Sequence, residues 1–228
     1  LAQADAAENA NDEAAQDAAI VDALKTHTVT ANSTITYDEN TKTYTVTNNA
    51  LQTTFKFGAG ATVEIEAGVK LSGAKAALIG TPTDGVKYIG LGTLVSTEAT
   101  SITAKELMQL ETKTDHTYGV ILDTTANAAI TAISSQADLA AVNTILAKDD
   151  VKKATNINAT ISAAELTDLT ALTAFDASVG TGTITVTAVK AITGTKAEID
   201  AYFDDTATAA TYTDEAEAIT VTYEDAVN

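Results

Sequence analysis

Residues 159–169 read ATISAAELTDL, and residues 191–203 read AITGTKAEIDAYF. Each runs from β-branched residues through a serine or threonine into Ala-Glu-aliphatic, the order expected where a strand turns directly into a helix. The phrase occurs twice more, as ATSITAKELMQL at 99–110 and AAITAISSQADLAAV at 128–142. In each, a hydroxyl residue (Thr103, Ser134 or Ser135, Ser162, Thr193 or Thr195) stands at the cap. An acid follows at Glu106, Asp138, Glu165 and Glu198, the arrangement of a capping box. Flanking aliphatics (Ile102 and Leu107, Ile133 and Leu139, Ile161 and Leu166, Ile192 and Ile199) are the predicted core. The aliphatics after the acids recur at intervals of 32, 27 and 33 residues. A recurring unit of that size, with a short helix and one or two strands, predicts stacked repeats that bury their apolar faces on one another.

Upstream, the period changes to two. Val29, Ile35 and Tyr37, then Tyr44 and Val46, alternate around the turn-rich DENTK, predicting a β-hairpin. Short alternating strands follow, punctuated by Gly58, Gly60, Gly68 and Gly73, as tight corners require. Residues 2–24 are alanine-rich with Asp5, Glu8, Asp12 and Glu13 toward the start, and predict a helix. That helix could lie on its own domain or dock as an arm on a neighbouring subunit. At the other end, EAEAITVTYEDAVN predicts a strand through Ile219, Val221 and Tyr223 that stops without its helix. Its open edge is a joining element unless covered.

The expected fold is mainly β with short helices (α+β): an elongated β-solenoid-like stack of strand-helix repeats, preceded by an N-terminal helix. Three segments follow from this: the Ala-rich helix or arm at 1–27, the hairpin and Gly-punctuated region at 28–95, and the strand-helix repeats at 96–228.

Composition narrows the function. The chain has 228 residues, 31 acids and 13 basic residues, for a formal charge of −18. Every basic residue is lysine. Without arginine, the preferred fork for phosphates and base edges, nucleic-acid binding is not expected. No cysteine is present, which excludes disulfides, thiol nucleophiles and cysteine metal sites. No apolar run is long enough to span a bilayer. The chain opens at Leu1 with no basic leader, which reads as a mature or trimmed secreted chain.

Candidate chemistry is sparse. His27 and His116 have no helically spaced ligand partner. The acidic pairs Asp149/Asp150, Asp204/Asp205 and Asp38/Glu39 lie in turn-like sequence, where Ca²⁺ could bind weakly, but none has the spacing of a calcium loop. No cofactor and no catalytic residue is expected. Asn32 in NST and Asn158 in NAT fit the N-glycosylation pattern.

The phrases ISAAEL (Ile161–Leu166), GTITVT (Gly182–Thr187) and ITGTKAEI (Ile192–Ile199) resemble the acidic, Ala/Thr-rich repeats of large secreted bacterial surface proteins, S-layer-like and cyanobacterial. GATVEIEAGVKLSG (60–73) resembles coils of secreted parallel β-helix adhesins, and SAAEL a phrase of phage tail fibres. The resemblance covers mainly 96–228 and brings no catalytic residue. It implies an extracellular, cell-surface structural protein that polymerises with itself into a filament, sheath or surface layer. The alternative it implies is an adhesin or phage appendage module that recognises a glycan or host surface.

Overall fold

The computed structural model describes residues 35–38, 40–52, 57–81, 84–97, 100–187, 189–203 and 220–224. The expected N-terminal helix, Val29 and Ile219 lie outside them. The described residues form a mixed α/β structure, with most strands in parallel sheets, a few helices and no closed barrel. The chain divides into two compact units. One takes residues up to Ser96 and then Thr112–Leu122. The other takes Thr97–Glu111 and the chain from Asp123 onward.

The first unit opens with the expected hairpin, β1 (Ile35–Asp38) antiparallel to β2 (Thr43–Val46), with Tyr37 opposite Tyr44. Asp38 closes the turn by accepting the Asn40 N–H at 2.9 Å. From β2 the sheet continues in parallel to β4 (Thr62–Ile65) and β6 (Lys87–Gly90), which sets Tyr44, Val63 and Tyr88 in one inward row. Phe57 fills the space beside that row, its ring 5.0 Å from Tyr44 and 6.3 Å from Tyr88. The second sheet runs β3 (Ala50–Gln52), β5 (Lys70–Gly73), β7 (Thr93–Ser96) and β9 (Ile121–Asp123). In it Ala50, Leu71 and Leu94 stack in register. A short helix, α1 (Lys75–Ile79), buries Leu78 and Ile79. The corner between β6 and β7 is tight because Leu91 and Gly92 both donate to the carbonyl of Ile65. A Cβ on Gly90 would lie 2.3 Å from that oxygen, and φ there is +106°, so only glycine fits.

The second unit contains the four phrases. Its first sheet is β8 (Ser101–Thr103), β10 (Ala129–Ile133), β12 (Asn158–Ile161) and β14 (Ile184–Val186), all parallel. Its second is β13 (Glu165–Leu166), β15 (Ala191–Gly194) and β16 (Thr220–Tyr223), also parallel, and the two-residue strand β11 (Val151–Lys152) falls between β10 and β12 in the chain. All eight flanking aliphatics predicted as core are at most 2% exposed. Strand pairing sets aliphatics in register: Ile102 beside Ile130, Ile133 beside Ile161, Leu166 beside Ile192. Hydrogen bonds in this unit link segments 25, 26, 28 and 29 residues apart in sequence.

Helices α2 (Ala104–Lys113), α3 (Gln136–Leu146) and α5 (Lys196–Phe203) begin where the phrase predicts. Thr103 and Thr195 form full boxes with Glu106 and Glu198: the acid accepts the cap residue's N–H at 2.8 and 2.9 Å. The cap hydroxyl in turn accepts the acid residue's N–H at 3.2 and 3.3 Å. In α3 the work is split: Ser135 caps Asp138, and Asp138 accepts from Ser134. The third phrase departs from expectation. Ser162 donates its N–H to Ile133, and Glu165 enters β13 instead of a helix. Helix α4 starts later, at Leu169–Val179, capped by Asp168 through the Ala171 N–H at 2.9 Å. The reason lies in strand pairing: Glu165 and Leu166 pair with Ala191 and Ile192, so the chain forms a second strand here before its helix.

Candidate functional site

The sequence pointed to the last strand as a joining element, and the structure places that strand at the margin of its sheet. Strand β16 follows β15 and has no further neighbour among the described residues. Thr220 and Glu224 donate to Lys190 and Gly194 at 2.8 and 2.9 Å. In a parallel ladder alternate residues bond to the same neighbour, so the N–H groups of Val221 and Tyr223 face away from β15. Val221 sits in register on Ile192, yet it is only half-buried where Ile192 is sealed. Tyr223 is 44% exposed, one of few large apolar side chains so placed among the described residues. Ile219, the third residue of the predicted edge, lies outside the described residues.

The other predicted residues do not converge. Asp149 is exposed and Asp150 half-buried in the turn after α3. Asp204, Asp205, His27, Glu39 and Asn32 lie outside the described residues. Among the described residues, no three metal-ligating side chains gather around a common point. His116 is half-buried, with Nδ1 3.1 Å from the Val120 carbonyl oxygen. Asp38 is held below the usual carboxylate range by the Asn40 N–H it accepts, helped by Thr41. Asn158 is exposed, but its side-chain oxygen accepts the Thr183 N–H at 3.0 Å, which ties β12 to the segment leading into β14. Among the described residues no helix is long and apolar enough to cross a membrane.

One polar cluster was missed by sequence reasoning. Lys113, at the end of α2, is 4% exposed and forms an ion pair with Asp84. It also donates to the Thr81 carbonyl at 3.2 Å. Asp84 accepts the N–H groups of Thr81 and Val86 at 3.1 and 3.0 Å. Burial pushes its carboxyl up, but Lys113 and those two donors outweigh burial and hold it below the ordinary value. Nearby, Tyr88 donates to the Leu78 carbonyl at 2.8 Å, and burial, with the Asp84 charge, pushes its hydroxyl far above the phenol range. The depression beside the pair, lined by Phe57, Leu78, Asp84, Val86 and Tyr88, has about 10 Å³ of room, enough for one water. Its chemistry is that of a structural latch. Lys113 falls three residues after Leu110, at the border of the apolar stripe of its helix, which signals burial of the lysine but does not name its partner.

No family model, no curated protein and no solved structure matches this chain.

Proposed function

We propose that the chain is an extracellular structural protein of the cell surface, one subunit of a filament, sheath or surface layer. In this reading the parallel strands and helices form a β-solenoid-like stack behind an Ala-rich N-terminal helix, and copies join through that helix and the edge of β16. The observation that carries it is the edge of β16, which has no further neighbour among the described residues and sets two N–H groups facing away from β15 beside a half-buried Val221 and an exposed Tyr223. Strand addition there uses main-chain hydrogen bonds, and a head-to-tail contact that does not close extends into a fibre.

The use made of the acids also supports a structural role over a catalytic one. Glu106, Asp138, Asp168 and Glu198 accept at helix starts, while Asp38, Asp115 and Asp123 close turns. The reading assigns no reaction and no cofactor.

The test is Tyr223→Pro, which removes an outward donor and none of the bonds to β15. Negative-stain images and light scattering of the wild type should show polymers, and the variant should remain monomeric with an unchanged circular dichroism spectrum. Polymers of undiminished length from the variant overturn the role of β16. A wild type that stays monomeric at every salt and calcium concentration overturns self-assembly and favours the binding-module alternative.

A further inference from the structure

We draw no further inference here: the strongest candidate, the exposed apolar surface where Leu91 adjoins the Tyr118–Gly119 turn in the first unit, carries nothing because the structure does not show what covers it.

Discussion

Ala132 is a non-glycine residue at φ +56°, inside β10. Left-handed backbone crowds Cβ against the neighbouring carbonyl. The strain has a purpose: one extra residue between Ile130 and Ile133 shifts the register, so that Ile133 meets Ile161. The side chain itself is exposed and contributes little. Ala132→Gly should therefore raise stability by about 0.5–1 kcal/mol, read as a higher urea midpoint with an unchanged slope. The latch makes a second prediction. Asp84→Ala strands an ammonium whose side chain is 5% exposed, whereas Lys113→Met strands a carboxylate that is 17% exposed and keeps two backbone donors. The first should cost about 3 kcal/mol and the second about half that. Equal losses in urea titrations would contradict this account. Because the folded Asp84 is depressed, its share of stability is full above the unfolded carboxyl value and disappears as pH falls through the folded one. The gap between wild type and Lys113→Met should accordingly close only in acid.

At the scale of the element, the phrase that recurs through the second unit was readable because capping is local. A hydroxyl and an acid three residues apart state a helix start with no help from the rest of the chain, and Thr103/Glu106 and Thr195/Glu198 do so here. The third copy misled for the opposite reason. Nothing within Ser162–Leu166 says that Leu166 must lie beneath Ile192, a contact made 26 residues later in sequence. The Lys113–Asp84 pair, 29 residues apart, was hidden by the same kind of distance. The hairpin and the turns at Gly60 and Gly68, which are local, were legible in the sequence, whereas Gly73 closes strand β5 and the tight corner at Gly90 was not foreseen. The edge strand was legible only in part, as an unfinished strand whose outward donors depend on which side β15 takes. One pair of variants separates the observed cap of α4, Asp168, from the acid of the expected box, Glu165. Asp168→Ala should cost about 1 kcal/mol, while Glu165→Ala, exposed at the start of β13, should change the urea midpoint little. The reverse order would restore the predicted cap.

At the scale of the whole molecule, the proposed assembly balances a main-chain edge that would attract copies against a charge that repels them. Each copy carries −18, and the thirteen lysines are too few to offset the 31 acids on a neighbour. The attraction proposed at β16 comes from backbone hydrogen bonds and from covering Val221 and Tyr223, terms that depend little on ionic strength. The repulsion does depend on it, since the screening length falls from about 30 Å at 0.01 M salt to about 10 Å at 0.1 M. Polymer mass measured by light scattering should therefore rise with sodium chloride over that range. Divalent cations should act at lower concentration, by neutralising acids in addition to screening them. Tyr223→Pro should flatten both responses, because screening cannot replace a lost donor. If the contacts between copies were instead ion pairs, the same titration would dissolve the polymer. A fall in scattering with added salt is thus the result that would discard edge pairing, whatever the images show.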